Sequence, residues 1–466
     1  MRGFGYNGLM PKKISLFSLV LLIVAAIDSI RNLPATALFG SSLIFFFLFS
    51  AVVFLIPTSL IAAEFSSRYP EEGGVFHWIR HAYGRRVAFV AVWLQWINTM
   101  VWYPTILSFI AGTAAYLIQP ELARNKAFLI GMILVVFWGL TLLNLKGIHI
   151  SSKINSFCGM IGTLIPMTLL IALGIAWALL GNPIQIEFSA ESIFPAFSGS
   201  QNWVSLIAIM ASFLGMELSG VHVNDVANPQ KNFPKAMGLS VLILLSTMLF
   251  GSLSIAAVIP KEEIRLVDGI MQTFTRFFDA FGIPGFAPIL TVLIIVGSFG
   301  GMINWLLSPA KGLLQAAEFG FLPIFFTKIN RSGVPVRLLI AQAVLVSFFC
   351  LAIILMPSIN AFYWFFTNLS TELYMLMYVL MFLAALKLGR PPREAQVFRM
   401  PRGTRKLACA FGLFGCFLTI LIGYRPPEGI YVGGPLLYAI CVGIGNILLL
   451  APAIYFCQRL KEPGSR

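Results

Sequence analysis

An aspartate, an arginine, an asparagine and a proline interrupt the first apolar run of this chain, in Asp28-Ser29-Ile30-Arg31-Asn32-Leu33-Pro34. Ile14 to Ile27 is apolar or small throughout but too short to cross a bilayer, which takes about 20 helical residues. A complete crossing must run on through Gly40, so Asp28 and Arg31 fall at membrane depth. Ionisable groups there are costly and signal function. Pro34 lacks an amide hydrogen and disfavours helix in the residue before it, so the helix is expected to stop at Pro34. Unwound backbone at that depth is tolerated only where protein buries it or water reaches it. A broken helix near the midplane is how a transporter builds a substrate site.

A second interruption comes later. Trp203 to Leu214 is apolar with helical period and runs into Gly215-Met216-Glu217-Leu218-Ser219-Gly220. Two glycines around a carboxylate weaken a helix, since each glycine costs about 1 kcal/mol relative to alanine. The two breaks offer complementary chemistry. After Pro34 the half-helix Ala35 to Gly40 would present free amides and a positive dipole end to a carboxylate, with the Thr36 hydroxyl nearby. The end of the sixth-span helix near Gly215 and Met216 would present carbonyls to an ammonium group. The candidate substrate-binding set is Asp28, Arg31, Asn32, Leu33, Pro34, Ala35, Thr36, Gly215, Met216, Glu217 and Trp305.

The elements that must position these residues follow from hydropathy. A mean hydropathy of +0.88, with 58% hydrophobic and 11% charged residues, excludes a soluble globular protein. The pattern predicts an all-α polytopic membrane protein. Its twelve spans are 14–40, 43–66, 87–119, 126–145, 154–180, 202–224, 236–259, 284–318, 337–356, 359–386, 407–423 and 432–457. Breaks in the first and sixth spans, with long third and eighth spans, fit two five-helix halves of inverted topology. A single transmembrane domain over 1–466 would then comprise a first repeat at 14–182, a second at 202–387 and two further helices at 407–457. No cleavable signal is expected, because the first apolar run leads into the break without a small-residue cleavage site.

The net charge of +14 calls for no nucleic acid. With the N-terminus inside, six of the 32 Lys and Arg fall in outer loops and two, Arg31 and Lys311, within spans. The other 24 lie in inner loops and tails, which places both termini in the cytoplasm of an inner (plasma) membrane protein. The loop Lys387 to Lys406 carries seven of them and is expected to face anionic lipid headgroups. The six cysteines lie within predicted spans without metal-site spacing, so neither a metal nor a cofactor is expected. No nucleophile–base set or phosphate loop points to an enzyme, and no carbonyl-filter motif points to a channel.

Several motifs together resemble the amino acid–polyamine–organocation superfamily, and within it the bacterial glutamate/GABA antiporter group. They are Glu71-Glu72-Gly73-Gly74-Val75-Phe76-His77-Trp78, His222-Val223-Asn224-Asp225 leading to Asn228-Pro229, Gly269-Ile270-Met271-Gln272-Thr273-Phe274-Thr275 and Gly333-Val334-Pro335-Val336. The resemblance runs in order from the first span to the ninth. It implies a LeuT-type fold, a 5+5 inverted repeat plus two helices, and an amino acid held by its two ends at the paired breaks. It also implies a secondary active transporter, an antiporter working by alternating access. A proton-coupled symporter of amino acids or amines, or a nutrient sensor on the same fold, is the alternative.

Arg31 departs from the resemblance, standing where that group tends to carry an aromatic residue. Two readings stand: it pairs with Asp28 one turn away, or it binds an acidic substrate. Glu217 matches a glutamate of the group, able to carry a proton, sense pH, contact a substrate amine or accept hydrogen bonds from unwound backbone. Lys311 aligns with a basic position of the family and could latch an inner gate with Glu64 or Glu318, or snorkel to the interface. Glu372 is either structural or ion-coupling. Asn304 and Trp305 could line the site, and Asn98 and Tyr103 are weaker candidates. The loop Arg68 to Arg86 is expected to form a short connector helix, and the loop Pro260 to Ile283 to cap the outer vestibule. The group's acid-resistance antiporter carries a C-terminal plug. Here Gln458 to Arg466, nine residues, follow the last span, so any pH gate is expected in side chains.

Overall fold

A computed structural model describes residues 14–69, 74–146, 157–195, 202–218, 226, 228–391 and 397–459, without the side chains of residues 202 and 229 and of a few between 301 and 318. Among these residues the chain is all-helical, with a single isolated backbone bridge, Ile14 to Val226. Among the described residues nine helices are long and apolar enough to cross a membrane: Leu16–Ala37, Gly40–Arg68, Lys126–Leu145, Phe157–Leu179, Gln230–Val258, Val336–Ile354, Ile359–Leu388, Arg402–Gly423 and Pro435–Arg459. Their outward faces carry large apolar side chains, such as Val135, Phe348 and Leu421, that water would not tolerate in such number and lipid would.

The first span is α1 (Leu16–Ile27), an extended pair Asp28–Ser29, a tight turn Ile30–Asn32 and then α2 (Leu33–Ala37). The break therefore precedes Pro34. Pro34 stands in the first turn of α2, where its missing amide has no intrahelical acceptor to lose and its fixed φ suits the helix. The second span joins α3 (Leu43–Ser50) to α4 (Ile56–Arg68) through a π turn at Ala51–Leu55.

The third helix, α5 (Val75–Ala115), is longer than expected. In place of a separate connector, the segment from Val75 runs into the span through a kink at Gly84, whose φ of 80° breaks the helical backbone. The four residues 70–73 of the expected connector lie outside the described residues. There follow α6 (Lys126–Leu145), then α7 (Ile165–Leu179) entered by a π turn at Met160–Leu164, and the short α8 (Ser205–Ser212). The second half holds α9 (Pro229–Val258), α10 (Gly269–Ala280), α11 (Phe286–Glu318), α12 (Val336–Leu351) and α13 (Ile359–Leu388). The chain closes with α14 (Arg402–Gly423) and α15 (Pro435–Arg459).

Two relations matter for the site. Helix α13 lies at the centre, buried along most of its length and packed against α5 and α14. Gly162, in the π turn before α7, meets Gly297 of α11 backbone to backbone, and a Cβ on either would collide with the other's Cα. Such close approach between membrane helices depends on small residues. The apolar face of α10 buries Ile270, Met271, Phe274, Phe277 and Phe278. At its start Gly269 lies so near Pro34 that an added Cβ would sit 2.9 Å from the Pro34 Cβ, so α10 rests on the second half of the first span.

Candidate functional site

The two breaks are carried by different segments and meet at α13. At the first, Asp28 and Ser29 are extended (φ −62°, ψ 124° and φ −140°, ψ 102°), so α1 ends there and the turn Ile30–Asn32 leads α2. By position, the amides of Ile30 and Arg31 head this half-helix and lack intrahelical acceptors. The free amides thus come earlier in the chain than a stop at Pro34 would put them. Tyr363 of α13 donates its hydroxyl to the Arg31 carbonyl at 3.0 Å.

At the second break α8 ends at Ser212 and the chain turns through Phe213–Gly215. Gly215 has a φ of 109°, a conformation side chains resist, which is the physical reason for a glycine there. Its amide donates to the Tyr378 hydroxyl at 2.9 Å. Tyr378 in turn donates to Glu217 Oε2, while Tyr374 and, at 3.3 Å, Gln95 Nε2 donate to Glu217 Oε1. Glu217, 1% exposed, is thus a buried carboxyl surrounded by donors from α5 and α13 and paired with no cation among the described residues. Residues 219–225, including the His222-Val223-Asn224-Asp225 motif, lie outside the described residues.

Asp28 and Arg31 do not pair. Asp28 Oδ2 accepts from Thr247 of α9 at 3.0 Å, and its Oδ1 has no partner among the described residues. Arg31 points to α5. Its Nη1 donates to Thr105 Oγ1 at 2.7 Å, and its guanidinium carbon lies 4.8 Å from the centroid of the Trp102 ring. The intervening extended turn removes the helical spacing that pairing at three residues requires. Arg31 is 5% exposed, its Nε has no partner, and no carboxylate among the described residues pairs with it.

Trp305 joins this cluster, its ring 5.5 Å from that of Trp102, and Tyr103 donates to its carbonyl at 2.7 Å. Arg31, Trp102 and Trp305 form one cation–aromatic–aromatic series. The remaining first-break residues turn toward protein. Leu33 packs on Gly251, Pro34 on Gly269, and the Thr36 hydroxyl bonds the Leu33 carbonyl at 3.0 Å and Ser252 of α9 at 2.6 Å. Asn32 and Ala35 are buried, as is Met216.

Glu64 of α4 forms a buried ion pair with Arg405 of α14 at 2.7 Å. The side chains of Lys311, Glu318 and Asn304 lie outside the described residues. Asn98 accepts from Ser370 of α13, a contact between helices rather than within the site. Outside the spans, Arg265 pairs with Asp268 at 2.8 Å and Tyr116 donates to Asp268 at 2.9 Å, tying the connection before α10 to the end of α5. Burial raises the proton affinity of Asp268 above the ordinary carboxyl value, and the Arg265 guanidinium works against that rise.

Sequence reasoning missed Trp102, Thr105, Tyr363, Tyr374, Tyr378 and Gln95. The tyrosines carry a signal in hindsight, because 363, 374 and 378 fall on one face of a helix with a 3.6-residue period.

Two interrupted helices inside an apolar bundle are an architecture that membrane transporters use. Residues 14–447 match the family described as amino acid permease, and the chain belongs to that family, within the amino acid–polyamine–organocation superfamily and near its glutamate/GABA antiporter group. An uncharacterized transporter of Legionella pneumophila is 39% identical over 94% of this chain and 95% of its own length. The glutamate/gamma-aminobutyrate antiporter of Lactococcus lactis subsp. cremoris is 32% identical over 72% of this chain and 68% of its own. A probable agmatine/putrescine antiporter of Lactococcus lactis subsp. lactis is 25% identical over 84% and 82%. The family and these relatives are transporters, so the protein is a multi-pass transporter of small molecules rather than an enzyme.

Proposed function

We propose that the protein is an antiporter that exchanges amino acids by alternating access and that its site favours an anionic side chain. The observation that carries this reading is Arg31: a guanidinium at membrane depth, braced by Thr105 and Trp102, beside a helix break and without a carboxylate partner among the described residues. A buried cation without a counter-ion is expensive, and a substrate carboxylate would supply the missing charge by a charge-assisted, two-pronged hydrogen bond. The α-carboxylate would sit on the amides at the head of the Ile30–Asn32 turn, and the ammonium at the carbonyls before Gly215. The exchange named for the glutamate/gamma-aminobutyrate relative agrees with this chemistry. A dicationic amine, as named for the agmatine/putrescine relative, would meet the Arg31 charge and be repelled.

In this reading α5, the Ser205–Leu218 segment and α11 complete twelve spans alongside the nine long apolar helices. They form repeats at 14–182 and 202–387 with two added helices at 407–457, both termini in the cytoplasm of an inner membrane. Glu217 would carry the proton or pH sensitivity of exchange, and Lys311 an inner latch.

Counterflow in liposomes across a panel of amino acids and amines, with and without internal substrate and a pH gradient, tests the proposal. Uptake of an acidic amino acid that depends on internal substrate and is weakened in Arg31→Ala is expected. Uptake indifferent to internal substrate, or no response to any amino acid, overturns it. An unchanged pH profile in Glu217→Gln removes the proton role from that residue.

A further inference from the structure

A second buried carboxyl group lies where α13, α14 and α15 meet, apart from both breaks. Glu372 of α13 is 1% exposed, and Asn446 of α15 donates its amide to Glu372 Oε2. One turn earlier, Asn368 Nδ2 donates to the Gly423 carbonyl of α14 at 2.7 Å. A carbonyl only accepts, so that bond fixes which way round the Asn368 amide lies and turns its Oδ1 elsewhere. Both Asn368 Oδ1 and Glu372 Oε1 are buried without a donor among the described residues. They close on the same space: a Cβ added to Gly423 would collide with Glu372 Oε1 and lie 2.8 Å from Asn368 Oδ1.

Two buried acceptors facing one space carry an unrelieved desolvation cost unless a hydrogen stands between them. No described cation forms an ion pair with Glu372. Helix α14 presents the Gly423 backbone, α13 presents Asn368 and Trp364, and α15 presents Asn446 and Tyr438, whose phenol is the titratable group facing Glu372.

We propose that Glu372, Asn368 and Asn446 form a proton-binding site in which the neutral Glu372 carboxyl donates from Oε1 to Asn368 Oδ1 and accepts from Asn446 at Oε2. The proton comes from water and returns to it, with no other bond made or broken. Its loss sets a bare carboxylate against the Asn368 oxygen and weakens the seam between α13 and the last two helices. The site therefore couples proton binding to the packing of α14 and α15, whether or not the protein exchanges amino acids.

Infrared spectroscopy on the purified, lipid-reconstituted protein reads the proton directly, through the carbonyl stretch that separates carboxylic acid from carboxylate. At neutral pH, wild type and Glu217→Gln should both show a carboxylic-acid component that Glu372→Gln loses. Glutamine reproduces the donor and acceptor of the protonated acid, so Glu372→Gln should fold and lose less melting temperature than wild type as pH rises. Asn368→Ala, which removes the acceptor, should shift the acid band without abolishing it. An acid band undiminished in Glu372→Gln overturns the proposal, as does its absence from wild type. A melting temperature that responds to sodium at constant ionic strength and not to pH would make this a metal-cation site instead, and would overturn it equally.

Discussion

Tyr363 and Tyr378, about four turns apart on α13, each hold one of the two broken segments: Tyr363 donates to the Arg31 carbonyl and Tyr378 accepts from the Gly215 amide. One helix thereby anchors both broken segments. Tyr378→Phe would leave the Gly215 amide buried and unpaired and take one donor from Glu217. An orphaned buried donor costs about 1–3 kcal/mol. A lowered melting temperature in detergent, larger than that of Tyr363→Phe, is the expected result.

Arg31→Ala should raise the apparent KM for an acidic substrate about tenfold to a hundredfold, the equivalent of the 1.5–3 kcal/mol assigned to a hydrogen bond with a charged group. Thr105→Val, which removes the brace at Nη1, should show a smaller shift in the same direction. Counterflow normalised to the amount of folded protein measures both.

Gly215→Ala forces a Cβ into a backbone at φ 109° and should cost about 1–3 kcal/mol. Since that geometry sets the second break, loss of transport should exceed loss of folded protein. Parallel uptake and size-exclusion yields separate the two effects.

The Glu64–Arg405 pair lies buried between α4 and α14. Removing one partner of such a pair strands the other charge, at about 3–5 kcal/mol. Arg405→Met should therefore lower the melting temperature strongly, and Glu64→Gln added to it should recover much of the loss. A thermal-shift double-mutant cycle reports the coupling.

Asp268 tests electrostatics outside the spans. Its proton affinity is raised by burial, so its neutral form is the one the fold favours and its contribution to stability is greatest at acid pH. That contribution is lost as pH climbs from the free carboxyl range through the raised value. Arg265→Ala removes the opposing guanidinium and should steepen the decline, read as melting temperature against pH.

The sequence made the first break conspicuous, because Asp28, Arg31, Asn32 and Pro34 crowd an apolar run, but it misplaced the break. Proline reads as a stop in the abstract and as a first-turn residue once a helix begins just before it. Arg31 was left between two partners because composition cannot tell which helix a side chain reaches. The extended Asp28–Ser29 pair turns Asp28 to α9 and Arg31 to α5. Trp102, Thr105 and the α13 tyrosines escaped notice since aromatic and hydroxyl residues are ordinary in membrane helices and become informative only through what they touch. Glu64 found Arg405 across 341 positions of sequence, a pairing that local spacing does not encode.

The glycine contact between Gly162 and Gly297 acts as a plain bearing. Helices that interlock through long side chains must unmesh every rotamer before one slides past the other. Here two bare backbones meet beside a π turn, and a small sliding step has few teeth to disengage, Cys158 against Gly300 being one. A bearing at that crossing would let the first half of the chain shift against the second at little cost in repacking.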